Sequence, residues 1–207
     1  MTRFIYLDHH ATTPCDPRVL EAMLPWFVDA YGNPGSSHYL QGAGARDAVA
    51  RARIQVAELL SANPSEVVFT AGATEAINLG LKGLMESAGP GPHRIITTTI
   101  EHDAVLQTCS VLERAGAEIV HLPVDQDGLV DPEAVRAAIT PTTLAVAIMA
   151  ANNEIGTVQP VADIGRLCRE AGVVYMADIA QSLGKIPMAL GELGVDLAAM
   201  SAHKLYG

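Results

Sequence analysis

Lys204 is the first residue whose type and setting indicate chemistry. It lies in the segment 201–207 (SAHKLYG), directly after the apolar run 195–200, which predicts a buried strand. Lysine is rarely buried without a partner, so a lysine at such a strand end needs an explanation. It is either an amine that attacks a carbonyl group or a surface side chain just beyond the strand. The segment by itself leaves both readings open.

Asp178 gives this lysine a chemical partner. It ends a second apolar strand, predicted over 173–177. A lysine that forms a Schiff base with pyridoxal phosphate (PLP) works together with an acid on the pyridine nitrogen, because the protonated ring accepts electrons. Asp178 and Lys204 would both lie at carboxyl ends of strands, where open α/β sheets bind ligands. The pair therefore predicts a PLP site.

A turn of small residues offers a place for the phosphate group. A strand predicted over 67–70 leads through the small residues 71–73, which end at Ala73, into a helix predicted from Thr74 to about Ser87. A helix N-terminus after such a turn points backbone N–H groups at an anion, and Thr74 adds a hydroxyl. The turn is not a Walker loop, since G-x-x-x-x-G-K-S/T does not occur. A generic strand–turn–helix connection is the alternative.

Two further polar residues follow predicted strands. His102 comes after the strand 94–98, and Asn153 follows the strand 144–149. A histidine there could stack on a cofactor ring or carry protons, because histidine titrates near neutral pH. Isolated histidines are often structural, and the pair Asn152-Asn153 is also a common turn former. Both readings stay open on these residues alone.

The elements that must position these residues alternate along the chain. Strands predicted over 94–98, 118–122, 144–149, 173–177 and 195–200 are separated by helices predicted over 104–115, 132–139 and 161–171. This order predicts an α/β fold with a mainly parallel (mixed) sheet flanked by helices and joined by right-handed crossovers. The sheet would carry the site at the carboxyl ends of its strands.

The predicted helices have apolar faces. Asp16-Pro17 begins a helix that places Leu20, Met23, Leu24 and Phe27 on one face. A second helix, predicted over 43–60, has candidate buried residues at Val49, Ile54, Val56, Leu59 and Leu60. In the helix 161–171, one face carries Val161, Ile164, Leu167 and Cys168.

Taken together, these motifs resemble the cysteine desulfurases of the iron-sulfur-cluster and nitrogen-fixation type. That group belongs to the class V aminotransferases, which are fold-type I PLP enzymes. The resemblance spans the whole chain in the family's order. Its stretches are YLD (6–8), ATTP (11–14), GNP (32–34), FTAGATE (69–75), EH (101–102), NNEIG (152–156), D-x-x-Q (178–181) and S-x-HK-x-YG (201–207). None of them is specific alone, and their combination is very specific.

The resemblance implies a role for each candidate residue. Lys204 would hold PLP as a Schiff base and then act as the base at the substrate Cα, while His102 stacks on the ring. Asp178 would hold the pyridinium nitrogen, and Gln181 and Asn153 would contact the side of the ring that carries the hydroxyl. The phosphate would be held by the backbone at Ala73 and by side chains of Thr74, Ser201 and His203.

The implied reaction takes sulfur from L-cysteine, leaves alanine and forms a persulfide on an enzyme cysteine, whose thiolate is the nucleophile. The implied partners are a second copy of the chain and an iron-sulfur scaffold or a sulfur-carrier protein. Cys15, Cys109 and Cys168 do not lie at the family's nucleophile position. Another class V PLP enzyme, such as a selenocysteine lyase or an aminotransferase, is the alternative. An inactive fragment that acts only through partner binding is a third possibility.

The length of the chain differs from that of the family. With 207 residues it is about half as long as the resemblance implies. We expect the N-terminal half of a longer protein, with an arm over 1–15 and an incomplete PLP-binding large domain over 16–207. The C-terminal small domain would be absent, and the fragment alone would be inactive.

Composition excludes several classes of protein. A net charge of −10 argues against nucleic-acid binding by electrostatics. No apolar stretch is long enough to span a membrane and no signal peptide is recognisable, so we expect a cytoplasmic protein. The three cysteines lack C-x-x-C spacing, which argues against a disulfide framework or a zinc site. His9 and His10 are adjacent and point different ways, so we assign no metal ligands.

Overall fold

The computed structural model describes residues 5–36 and 38–207. Residues 1–4 of the predicted arm and Ser37 lie outside the described residues. The chain divides into two compact units, one formed by Met1–Phe69 with Ala202–Gly207 and the other by Thr70–Ser201. The predicted division into an arm over 1–15 and a domain over 16–207 stays a prediction. No helix in the described ranges is long and apolar enough to cross a bilayer.

The unit Thr70–Ser201, hereafter the sheet unit, is built on five parallel strands in the order β2-β1-β3-β4-β5. Their bounds are β1 Arg94–Thr98, β2 Glu118–Leu122, β3 Thr143–Ala147, β4 Val174–Asp178 and β5 Leu197–Ala199. The predicted parallel sheet is thus confirmed, and β1 and β2 have the predicted bounds. Strands β3, β4 and β5 differ from their predicted bounds by one or two residues at each end, which is the usual uncertainty of strand boundaries.

Helices flank this sheet, as predicted. They are α3 Ala73–Ala88, α4 Asp103–Arg114, α5 Pro132–Ala138, α6 Val161–Ala171 and α7 Leu190–Leu193. All four residues of the predicted α6 face are buried. Helix α3 packs against α4 and against strands β3, β4 and β5, and it buries Ile77 and Leu81 there. A Cβ on Gly80 would lie 2.9 Å from the flexible end of the Met176 side chain, so α3 lies close to β4 at this glycine.

The other unit, hereafter the arm unit, contains α1 Pro17–Val28, α2 Leu40–Leu60 and two short 3-10 turns at Pro64–Glu66 and Ala202–Lys204. Helix α1 begins as predicted, since Asp16 Oδ1 accepts a hydrogen bond of 2.8 Å from the Arg18 N–H. It buries none of its residues. The predicted buried side of α2 is wrong at Val49, Ile54 and Leu59, which are exposed, and right at Leu60.

The predicted strand over 67–70 does not form. No strand pairs with this segment in the described part of the chain, and an extended backbone becomes a strand only when a neighbour satisfies its N–H and C=O groups. Instead, the Arg53 guanidinium donates to the Val67 carbonyl and lies 5.0 Å from the centre of the Phe69 ring. Val68 and Phe69 remain exposed.

Candidate active site

One edge of the parallel sheet gathers polar residues from four loops. His102 follows β1, Asn153 follows β3, Asp178 ends β4 and Ser201 follows β5. In the strand order, β2 and β3 lie on opposite sides of β1, so the direction in which successive strands are added to the sheet reverses at β1. Open α/β sheets bind ligands outside the carboxyl ends of strands at such a reversal. The sequence-predicted residues of the sheet unit are therefore brought to the expected edge.

The N-terminus of α3 lies at this edge with its backbone uncapped. Ala73 and Thr74 form the first turn, and the N-cap residue Gly72 provides no side-chain hydrogen bond. The Ser201 Oγ atom lies 3.9 Å from where a Cβ of Gly72 would be, so a hydroxyl faces the helix end. Free N–H groups, a helix dipole and nearby hydroxyls together suit an anion such as phosphate.

His102 is oriented by its own helix. It is the N-cap of α4, and its Nδ1 accepts a hydrogen bond of 3.1 Å from the Ala104 N–H. Since Nδ1 accepts, the proton of the neutral ring is assigned to Nε2. His102 and Thr74 line one open cleft of about 350 Å³ between α3 and α4. The imidazole is therefore held beside the helix end that suits a phosphate.

Asp178 and Gln181 are fixed by local hydrogen bonds. Asp178 is half-buried, and its Oδ1 accepts from the Ala180 N–H at 2.9 Å. Its backbone carbonyl accepts from the Ala150 N–H at 2.8 Å, which joins the ends of β4 and β3. Gln181 is buried, and its Oε1 accepts from Lys185 Nζ at 3.0 Å. A carboxylate and an amide thus lie in one ordered turn at the strand end.

Asn152, rather than Asn153, is the structural asparagine of the turn after β3. It is buried, and its Nδ2 donates to the Ile100 carbonyl at 2.8 Å. Its Oδ1 accepts from the N–H groups of Glu154 and Ile155. Asn153 is half-buried, and its Nδ2 donates to Glu154 Oε1 at 3.1 Å. Asn152 therefore ties the turn that carries Asn153 to the loop that carries His102.

Glu101 also links the loop after β1 to the segment after β3. It is 5 % exposed, Oε1 accepts from Thr98 Oγ1 at 2.7 Å and Oε2 accepts from the Met149 N–H at 2.9 Å. Burial raises the pKa of this carboxyl to about 8, and the Asp178 carboxylate adds to the rise. Glu101 is not among the predicted site residues, although its place directly beyond a buried strand was a usable signal.

Lys204 and His203 belong to the arm unit, where the N-terminal segment holds them. Lys204 is half-buried and ends the 3-10 turn Ala202–Lys204. The His203 carbonyl accepts from both the N–H and the hydroxyl of Thr13, each at 2.8 Å. The His203 Nδ1 lies 3.1 Å from Thr12 Oγ1. These threonines were noted in the sequence only as part of a motif, and their contacts with the lysine segment were not predicted.

Two of the three cysteines are poorly placed to react as thiolates. Cys109 and Cys168 are buried, and burial raises the pKa of each thiol to about 12. Cys15 is exposed, and all three thiols are free. In the described part of the chain no three His, Cys, Asp or Glu side chains are grouped as metal ligands would be.

Comparisons with known proteins give one consistent result. The family described as Aminotransferase class-V matches residues 5–207. Cysteine desulfurase IscS of Rickettsia felis is 49 % identical over 203 residues, which cover 98 % of this chain and 50 % of that protein.

Two solved structures are similar to this chain. The structure of SspA in complex with cysteine matches with a TM-score of 0.95 at 40 % identity, covering 98 % of this chain and 58 % of that one. The structure of a NifS-like protein matches with a TM-score of 0.94 at 43 % identity, covering 98 % of this chain and 56 % of that one. The chain spans about half the length of the curated relatives it matches.

Proposed function

Because the chain belongs to the class-V aminotransferase family, we propose that it forms the cofactor-binding part of a PLP-dependent cysteine desulfurase. The observation that carries the proposal is the single sheet edge that collects His102, Asn153, Asp178 and Ser201 beside the uncapped end of α3. Relatives named as cysteine desulfurases, such as that of Rickettsia felis, support this activity over others in the family. The whole protein would take sulfur from L-cysteine and leave alanine.

The residues at this edge fit PLP. The phosphate needs N–H and hydroxyl donors, which the backbone at Ala73 and the side chains of Thr74 and Ser201 supply. The pyridine nitrogen needs an acid, and Asp178 is half-buried and held by the Ala180 N–H. His102 is the aromatic ring available for stacking, with its orientation fixed by Ala104. When bound, the cofactor would act as an electron sink for the bonds broken at the substrate Cα.

Each candidate residue of the chain would have a separate role around the cofactor. Asp178 would keep the pyridine nitrogen protonated, and Asn153 and Gln181 would bind the side of the ring that carries the hydroxyl. The Lys204 Nζ would attach the cofactor and, once released, move the proton at the substrate Cα. His203 would add to the phosphate contacts. Lys204 and His203 are assigned on family membership and sequence motif.

Other parts of the proposal rest on the family alone. Neither Cys109 nor Cys168 would be the cysteine that accepts the sulfur, because burial raises the pKa of each thiol far above neutrality. We also propose a large domain over 16–207, a homodimer, a cytoplasmic location and delivery of sulfur to an iron-sulfur scaffold or a sulfur carrier.

The test uses the natural gene product with added PLP. In the presence of a thiol reductant, which releases the persulfide sulfur as sulfide, we expect L-cysteine to give sulfide and alanine in equal amounts, and Lys204→Ala to reduce both to background. Borohydride reduction followed by intact-mass measurement should add the cofactor's mass to the parent and not to Lys204→Ala. Transfer of the amino group to a keto acid without sulfide release would favour an aminotransferase instead.

A further inference from the structure

The segment around Lys204 is clamped by residues near the start of the chain. The Thr13 N–H and hydroxyl both donate to the His203 carbonyl at 2.8 Å, and the Tyr206 N–H donates to Thr13 Oγ1 at 2.8 Å. The Asp16 N–H donates to the Tyr206 carbonyl at 2.8 Å. All of these contacts lie within the arm unit. The backbone is therefore anchored on both sides of Lys204.

The Thr13 hydroxyl holds both anchors at once. A hydroxyl has one donor and two acceptor positions, so it can donate to a carbonyl and accept from an amide. Here it donates to the residue before Lys204 and accepts from the residue two positions after it. Thr13 is 8 % exposed, so water competes poorly for either bond. Valine has nearly the same shape and can make neither contact.

The clamped segment has a shape that a free chain would seldom adopt. Tyr206 has a φ of 59°, in the left-handed region that is uncommon for residues other than glycine. The N–H groups of Leu205 and Gly207 both donate to the Ala202 carbonyl, at 2.8 and 3.0 Å. Such a conformation persists only where its surroundings determine it. Thr13 and Asp16 supply that constraint through the Tyr206 amide and carbonyl.

We propose that Thr13 is a positioning residue for Lys204, whose hydroxyl bridges the His203 carbonyl and the Tyr206 amide and so fixes the direction of the lysine side chain. The inference rests on the proposed function, in which Lys204 attaches the cofactor. A reacting amine must be held close to its productive geometry by residues whose own positions are locked. Thr13 would act through the backbone and would not touch the cofactor.

The experiment compares three variants of the natural gene product. Thr13→Val removes the bridging hydroxyl, and Thr13→Ser keeps it. Thr97→Val makes the same atomic change at a buried hydroxyl with no hydrogen-bond partner in the described residues. The readouts are PLP affinity, the rate at which borohydride fixes PLP to the protein, and the pH midpoint of the bound cofactor's visible band. Thermal unfolding is followed in parallel.

We expect Thr13→Val to weaken PLP binding and slow borohydride fixation by about tenfold, because both hydrogen bonds of the hydroxyl are lost. The pH midpoint of the visible band should move, because that midpoint reports the surroundings of the lysine nitrogen. Thr13→Ser and Thr97→Val should stay within about twofold of the parent in all three readouts. A merely structural role would lower the unfolding temperature and leave the pH midpoint unchanged.

The outcomes separate the two proposals. If Lys204→Ala still gains the cofactor's mass, the proposed function fails. If fixation depends on Lys204 but Thr13→Val matches the parent, the positioning role is overturned. Should Thr13→Val not fold, hydrogen exchange in the parent decides: a protected Tyr206 amide supports the clamp, and one that exchanges like an unstructured amide overturns it.

Discussion

Helices with similar apolar faces are buried to different extents in the sheet unit and in the arm unit. Helix α3 in the sheet unit buries Ile77 and Leu81 almost completely, whereas α1 in the arm unit buries no residue and leaves Phe27 70 % exposed. Both helices have an apolar face at helical spacing. The spacing therefore indicates that a face is apolar, and only the neighbouring elements determine whether it is covered.

Extended segments show the same contrast. Residues 95–98 of β1 pair with β2 or β3 and are buried, while Val68 and Phe69 have no paired neighbour in the described residues and are exposed. Both stretches are rich in β-branched or aromatic residues. A strand needs partners for its backbone as well as apolar side chains. The sheet unit contains those partners for its own strands.

The largest expected effect comes from truncating matched leucines in the two helices. Leu81→Ala should lower the free energy of unfolding by about 2–5 kcal/mol, because it leaves a cavity in the sheet unit's core. Leu24→Ala in α1 should change it by less than about 0.5 kcal/mol, since that side chain is 53 % exposed. Urea denaturation of both variants measures the two values. Similar losses would mean that the α1 face is covered in solution, and the contrast between the units would not hold.

A second effect, which depends on pH, should come from Glu101. Its pKa rises on folding from 4.5 to about 8, so between these values the folded state binds more protons than the unfolded state. Stability should therefore fall as pH rises through this window, by about 1.4 kcal/mol per pH unit from this group. Glu101→Gln mimics the protonated acid, accepting from the Met149 N–H while its amide donates to Thr98 Oγ1.

The measurement is urea denaturation of the parent and of Glu101→Gln at pH 5 to 8. The two should be similarly stable at pH 5, and the variant should become relatively more stable with each step upward. Because every other titrating group is shared, the difference isolates Glu101. Parallel stability curves would contradict the raised pKa. Asp178→Asn should reduce the difference slightly, since the Asp178 carboxylate contributes to the shift.

The sheet and its site edge were predictable because their signals are local. Strands β1 and β2 are short segments rich in β-branched residues between turns, and α6 repeats its buried residues at helical spacing. His102 and Asp178 could be assigned to this edge of the sheet because each lies at or just after a strand end. The order of strands and helices then implied the rest of the architecture.

The remaining parts depend on contacts distant in sequence. Glu101 is held by the backbone N–H of Met149, 48 residues away, and a backbone group gives no residue-type signal. Thr13 contacts the carbonyl of His203 across 190 residues, so only the fold shows that it anchors the lysine segment. The absent strand over 67–70 has the same cause, because pairing depends on which neighbours are present.

The smallest expected effect concerns what holds the segment after the 3-10 turn Pro64–Glu66. The Arg53 guanidinium donates to the Val67 carbonyl and lies over the Phe69 ring. Partly exposed contacts of this kind contribute about 0.5–1 kcal/mol. A double-mutant cycle of Arg53→Met and Phe69→Leu should give a coupling energy of about 0.5 kcal/mol. Arg53→Lys should lose much of it, since an ammonium group lacks the planar fork that stacks and donates together. A coupling energy of zero would mean that the contact between Arg53 and Phe69 does not stabilise the segment Val67–Phe69.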